Sequence, residues 1–323
     1  MAGNQEDRLQ AVPLSKRLRM LADMVTPGNR VADVGCDHAF LSIYLVQAGI
    51  CPRALAMDVR TGPLAAAGAH VAECGLGSYI EVRLSDGLAA CGSGEADTVV
   101  CAGMGGRLME RILTEGMDRA REMRELILQP QSELPRFRAF LRETGFAVVE
   151  EDAVFEEGKY YFAMKAAYRG GCAGYEEGAV TYEGTDAGGS EGGLAAAPCG
   201  RLIGMEADRE ANDTEGEAET VLCEPAGREA GLAGDLKRRR SGQCTQAISR
   251  QRLYDLYGKG LLSRRHPVLL QYLLQRRDYA RKLEASLAAA GSQKAAWRLT
   301  EVRRELAEIE EALMFYREDR AVF

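Results

Sequence analysis

Long apolar runs are absent from this chain of 323 residues. No segment approaches the roughly 18 apolar residues of a membrane span, and the opening ten, Met1 to Gln10, are polar with no apolar core. The expectation is a cytoplasmic protein that is neither exported nor anchored and has no membrane partner. Histidine is scarce, with three residues, and the nine cysteines include no CxxC pair and do not cluster with His38, His70 or His266. An odd, scattered set argues for reduced thiols and against a disulfide framework or a metal site. Aromatic residues make up only 7%, yet 46% of the chain is hydrophobic, enough for one sizeable α/β domain and a smaller appendage. A formal charge of −7 argues by itself against a nucleic-acid partner. Its distribution along the chain reverses that argument.

Between residues 30 and 167, short apolar runs alternate with helix-like segments. Strands are expected at 30–35, 53–58, 79–84, 97–102, 125–129, 147–155 and 159–166. Runs such as Val31-Ala32-Asp33-Val34-Gly35 are apolar without alternation, as in strands covered by helices on both faces of a parallel sheet. The last two strands are separated only by Glu156-Glu157-Gly158, which is hairpin spacing and leaves no room for a crossover helix. The predicted architecture is therefore α/β, a Rossmann-like sheet of seven strands whose parallel order ends in one antiparallel hairpin, as in the methyltransferase sheet. A plain dinucleotide-binding domain is all parallel.

Residues 170–236 change character: 15 glycines, 15 Asp or Glu, 3 Arg and no apolar periodicity. The composition predicts a disordered acidic insert, occupying 169–249 between a domain at 13–168 and an appendage at 250–323. A basic stretch follows from Lys237 to Arg304, with 17 Lys or Arg against 4 Asp or Glu. Two long helical patterns in it break at Ala290-Gly291-Ser292. Val302, Leu306, Ile309, Leu313 and Tyr316 are spaced four, three, four and three apart, an a/d seam, with Leu270, Leu273, Ala280, Leu283 and Leu287 as the partner face. An antiparallel helical hairpin, a short coiled coil, follows from the brief glycine-containing connection.

The chemistry is concentrated at strand ends. In Val31-Ala32-Asp33-Val34-Gly35-Cys36-Asp37-His38-Ala39-Phe40-Leu41, a strand, a glycine turn and a helix follow in order. Glycine lets the backbone approach a ligand, and the helix N-terminus attracts an anionic group. The full G-x-G-x-x-G is missing, so this loop alone is weak evidence for a cofactor site and reads more readily as an ordinary tight turn. Asp58 ends the next strand, where a carboxylate accepts hydrogen bonds from ribose hydroxyls or serves as a helix cap. Ser85-Asp86-Gly87 follows the third strand, where an acidic side chain can receive an adenine amine. Ala102-Gly103-Met104-Gly105-Gly106 follows the fourth; its glycines leave main-chain carbonyls and a flat space for a base, with Met104 packing against it, or serve only close helix packing. Tyr160 and Tyr161 are base-stacking candidates or core residues.

These segments, with Leu14-Ser15-Lys16-Arg17-Leu18, Ser85-Asp86-Gly87-Leu88 and Leu126-Ile127-Leu128-Gln129-Pro130, resemble the bacterial tRNA adenine-N1-methyltransferases that modify adenine 22, the TrmK family. The tail from Tyr254 to Pro267 and the hairpin after it are similar to that family's helical appendage, so the likeness covers 13–168 and 250–323. Where the family usually carries a small hydroxyl residue, this chain has the near-isosteric Cys36. The resemblance implies S-adenosyl-L-methionine as cofactor and tRNA as partner, with no metal. It implies a cofactor site of Arg17, Asp33, Gly35, Asp37, His38, Asp58, Asp86, Gly87, Ala102, Gly103 and Met104, and Asp37, beside His38, as the polar catalytic residue. For His38, a satisfied turn residue is the alternative. Lys16, Gly105 and Gly106 are expected on the substrate side. Lys16, Arg17 and Arg19 are set to grip the cofactor carboxylate, an RNA phosphate or solvent. Arg276, Arg277, Arg281, Arg298, Arg303 and Arg304 are expected to face RNA phosphates from the hairpin. Two rival readings are a noncatalytic RNA-binding protein and a methyltransferase of a small molecule or protein; the strand-end carboxylates weigh against the first and the basic stretch against the second.

Overall fold

The computed structural model describes residues 11–170, 248–290 and 292–317. The acidic insert expected at 170–236 lies, Gly170 apart, outside the described residues, as does the basic run at 237–240. The chain enters through α1 (Lys16–Met24), then β1 (Val31–Val34), α2 (Phe40–Gln47), β2 (Ala54–Asp58), α3 (Thr61–Glu73), β3 (Ile80–Leu84) and β4 (Thr98–Met104). Helices α4 (Gly106–Glu115) and α5 (Met117–Glu122) lead to β5 (Glu125–Pro130), α6 (Leu134–Glu143), β6 (Phe146–Glu156) and β7 (Lys159–Tyr168). Four helices complete it: α7 (Arg250–Tyr257), α8 (Lys259–Ser263), α9 (Pro267–Ala290) and α10 (Gln293–Met314).

The seven strands form one sheet in the order β3-β2-β1-β4-β5-β7-β6, parallel except for β7, which runs antiparallel to both neighbours. β1, β2 and β5 are buried at every position, which explains why their apolar runs show no alternation. One face is covered by α1, α2 and α3 through Leu21, Ile43, Leu45 and Val71, the other by α4 and α6 through Met109, Leu113, Phe137 and Leu141. Each such side chain contributes about 1.5–3 kcal/mol by leaving water. The β6–β7 hairpin turns through Glu157 (φ 48°) and Gly158 (φ 78°), the paired positive φ of a two-residue turn matched to strand twist. In β6, Val148 faces Ala166 and Glu150 faces Lys165, so Val149 bulges out without an opposite residue.

The hairpin α9–α10 forms where the seam predicts it: Val302, Leu306, Ile309 and Leu313 are buried against Leu273 and Ala280, with Leu283 and Leu287 packed beside them. The short helices α7 and α8, absent from the pattern-based reading, fasten it to the sheet. Arg138 of α6 and Glu151 of β6 form a buried ion pair at 2.9 Å, 6% and 1% exposed. Arg138 also donates to the Asp255 and Leu256 carbonyls that end α7, at 3.0 and 3.2 Å, while Glu151 Oε2 accepts from Gly260 N at the start of α8, at 2.8 Å. Gly258, at φ 90°, has no room for a Cβ, which would collide with the Glu151 carboxylate. His266 reaches Asp152 at 2.9 Å, and the Tyr160 and Phe162 rings meet Tyr272 edge-on at 5.2 and 5.4 Å. Tyr160 is thus a packing residue.

Candidate active site

Four parallel strands end on one cavity of about 660 Å³, at the switch point where the chain leaves β1 to one side and β4 to the other. All eleven residues expected around the cofactor line it: Arg17, Asp33, Gly35, Asp37, His38, Asp58, Asp86, Gly87, Ala102, Gly103 and Met104. Phe40, Arg60, Arg111 and Gln131 line it too, outside the motif-based expectation. Phe40 lies inside the motif segment after β1, Arg60 stands two residues past Asp58 and Gln131 directly follows Leu126-Ile127-Leu128-Gln129-Pro130, a usable signal. Arg111 reaches the cavity from α4, which no local pattern announces.

The turn after β1 is built to bring backbone close. Gly35 has φ 74°, and a Cβ there would collide with Met104 Cε, so the loop after β4 closes over the glycine. Met104 therefore turns onto Gly35, not outward toward a base as expected, and its sulfur lies 3.8 Å from Cys101 Sγ. Asp37 (φ 50°) and Ala39 (φ 58°) continue the left-handed path. Ala39, not Asp37, occupies the N-cap of α2, with no side-chain hydrogen bond, so the first-turn N–H groups of that helix carry no capping side chain. Asp37 projects with 63% of its side chain exposed, 3.9 Å from His38 Nε2. His38 Nδ1 is buried without a partner, and the His38, Phe40 and His70 rings lie 5.0–5.6 Å apart at the rim.

Two carboxylates sit deeper. Asp33, 5% exposed, accepts one hydrogen bond, from Ser42 Oγ at 2.8 Å. Burial pushes its carboxyl up to about 6, the Ser42 bond opposing and the charge of Asp58 adding to the shift. Asp58, 4% exposed, accepts on Oδ1 from Arg60 N at 2.8 Å, leaving Oδ2 without a partner among the described residues. Asp86 is exposed and faces Arg111 at 3.3 Å. Burial also raises the Cys36 thiol, keeping it protonated beside the turn. A glycine turn whose positive φ disfavours a side chain, an uncapped helix start and a buried carboxylate with a spare oxygen fit the phosphate-free, ribose-bearing cofactor the motifs imply.

The substrate-side expectations divide. Gly105 and Gly106 do not line the cavity; a Cβ on Gly106 would lie 2.6 Å from Ser132 O, so this glycine serves the approach of α4 to the chain entering α6. Lys16 lies outside the cavity, its backbone N–H bound by Glu156 at 2.6 Å. Arg17 lies in it, donating to Gln129 Oε1 at 3.2 Å and covering the Tyr161 ring at 5.7 Å, whereas Arg19 pairs with Asp23 outside it. Five of the six hairpin arginines are in ion pairs: Arg276 with Glu305, Arg277 with Asp278, Arg281 with Glu310, Arg298 with Glu301 and Arg303 with Glu284. Arg304 has no ion-pair partner among the described residues. The arginines expected to face RNA phosphates are thus mostly paired with carboxylates of the hairpin itself.

Comparison with known proteins agrees with this geometry. A methyltransferase-domain family model matches residues 14–164. The tRNA (adenine(22)-N(1))-methyltransferase of Bacillus subtilis is 37% identical over 158 residues, 49% of this chain and 66% of that protein. The crystal structure of the B. subtilis m1A22 tRNA methyltransferase TrmK superposes with a TM-score of 0.62 at 24% identity, covering 93% of this chain and 99% of that one. A Streptococcus pneumoniae protein crystallised with S-adenosyl-L-methionine superposes with a TM-score of 0.60 at 25% identity, covering 93% and 100%. With its motifs on one cavity and its sheet and helical appendage both matched, the chain belongs to the TrmK methyltransferase family.

Proposed function

We propose that this chain transfers a methyl group from S-adenosyl-L-methionine to N1 of an adenine in tRNA, adenine 22 by resemblance to its relatives. The observation that carries the reading is the convergence of eleven motif residues on one strand-end cavity. The cofactor supplies an electrophilic methyl group on a sulfonium. Asp33, Asp37, Asp58 and Asp86 give the cavity an acidic lining suited to that cation, and Arg17 offers a counter-charge to a carboxylate. Asp58, through its unclaimed oxygen, holds the ribose hydroxyls. Gly35 and the start of α2 receive the amino-acid end.

Adenine N1 carries an in-plane lone pair and needs no base to attack, so orientation of the two reactants is the principal source of rate. Methylation makes the ring cationic and acidifies its exocyclic amine. Asp37, exposed at the rim and held by its left-handed backbone, is the acceptor for that amine, with His38 beside it. The hairpin grips RNA backbone outside the cavity while the base leaves its stack. Mass spectrometry of nucleosides from unmodified tRNA incubated with protein and cofactor is expected to give 1-methyladenosine; its absence overturns the assignment. Asp37→Asn is expected to slow single-turnover methylation strongly with cofactor affinity near wild type, and full activity in that variant removes Asp37 from the chemistry.

A further inference from the structure

We infer that Gln129 is the positioning residue of the base-facing loop, holding Gly103 and Arg17 together through a single side-chain oxygen; the inference rests on the methyl-transfer reading above. The β4–β5 ladder runs in register to Ala102 opposite Gln129 and resumes at Met104 opposite Pro130, so Gly103 is left over between them at φ 78°. Its N–H donates to Gln129 Oε1 at 3.2 Å, and the same oxygen accepts from Arg17 Nη1 at 3.2 Å. Arg17 lies against Gly103, 3.3 Å from where a Cβ would stand. One oxygen thus ties the bulged end of β4 to the helix that covers the cavity.

The other end of the same amide shows why the residue is there. Gln129 is fully buried, and its Nε2 has no hydrogen-bond partner among the described residues. Both neighbours at the far end are donors, so the oxygen must face them and the amide cannot be turned to relieve the orphan. An apolar side chain of the same length would fill this space without stranding a donor. Packing therefore does not call for glutamine; the oxygen does. Without it, the Gly103 peptide loses the contact that fixes its plane, and glycine has the backbone freedom to rotate. Gly103 lines the cavity where a base approaches the methyl group, so a change of peptide plane there misaims the base without removing any group that binds it.

The test uses the full chain with Gln129→Met, which keeps length and loses the oxygen, and Gln129→Glu, whose carboxylate accepts from both donors and strands none. The readouts are single-turnover methylation of unmodified tRNA, KM for tRNA, and exchange of the Gly103 amide in the free protein. For Gln129→Met, we expect the single-turnover rate to fall about ten- to a hundredfold while KM moves by less than about threefold, and Gly103 to exchange faster. Gln129→Glu is expected to keep the rate within about threefold and to keep the Gly103 protection. A wild-type rate in folded Gln129→Met overturns the inference, as does a Gln129→Glu variant that folds and protects Gly103 yet has lost the rate. If the methionine variant does not fold, the glutamate variant decides. If the wild-type chain makes no methylated adenine, the functional reading fails, and unchanged Gly103 exchange in Gln129→Met still refutes the hold separately.

Discussion

The two edges of the parallel sheet treat a buried carboxylate in opposite ways. At the edge where the strands begin, Glu125 accepts from Thr26 N, Thr26 Oγ1, Thr98 Oγ1 and Lys165 Nζ, all at 2.6–2.8 Å. Burial opposes its ionisation, but Lys165 and the threonines overcome that and hold it below the usual glutamate range. At the edge where the strands end, Asp33 is also buried yet has one hydroxyl, and its carboxyl is pushed up to about 6. Both are buried, Asp33 the more completely; the donors and the cation Lys165 at Glu125, against one hydroxyl and the neighbouring charge of Asp58 at Asp33, decide the sign. Lone pairs left unclaimed at one edge and fully claimed at the other separate a ligand site from a structural joint.

The sharpest way to break this comparison is at the most deeply buried acid, Glu151, which is 1% exposed. Glu151→Ala leaves Arg138 buried without its partner and is expected to cost about 3–5 kcal/mol, read by urea unfolding; a loss below 1 kcal/mol would mean the joint is not held electrostatically. Next, the two edges predict opposite pH responses. The Asp33 carboxyl is raised in the folded chain, so its contribution is fully present below its ordinary value of 3.8 and lost as pH rises through about 6; Asp33→Asn should abolish a change of about 3 kcal/mol over that window. Glu125 is lowered, so its contribution is present above its ordinary value of 4.5 and lost as pH falls through the folded value; Glu125→Gln should remove that acid-side loss. Equal slopes in the two variants would contradict the contrast.

A smaller effect is expected where an acid is held for a ligand. Asp58→Ala should weaken S-adenosyl-L-methionine by about 1–3 kcal/mol in calorimetry with the melting temperature nearly unchanged, and unaltered affinity removes Asp58 from the site. The smallest belongs to the hairpin. Since Arg276, Arg277 and Arg281 each have a carboxylate partner, neutralising all three should lower tRNA affinity and its salt slope by less than the roughly 0.9 per charge of a free cation. An unchanged affinity and slope would exclude these arginines from RNA binding.

The seven strands, the hairpin seam and the lining of the strand-end cavity were legible because each depends on residues close in sequence: apolar runs of four to six, heptad spacing, or a glycine one turn past a strand. What escaped depends on distant partners. α7 and α8 are short helices stabilised by Arg138 and Glu151, more than a hundred positions earlier. The first turn of α1 is capped by Glu156, 140 residues away. Gln129 was visible only as a letter in a strand; its role depends on a bulge in the neighbouring strand and an arginine from α1. The arginine pairings across the hairpin needed the register of two helices.

The bulge at Val149 also governs which length changes this chain tolerates. On its far side Glu151 faces Met164 and Ala153 faces Phe162, so the odd positions point toward α6, whereas before it the even ones, Phe146 and Val148, do so. Were the ladder regular, Glu150 would take that place and Glu151 would emerge on the α1 side of the sheet, out of reach of Arg138. Losing Val149 itself heals the ladder and leaves both halves facing as before. Losing a residue anywhere from Asp152 to Glu156 inverts the parity of the segment that follows. Of all the positions in this strand, the surplus one is where a deletion can be absorbed.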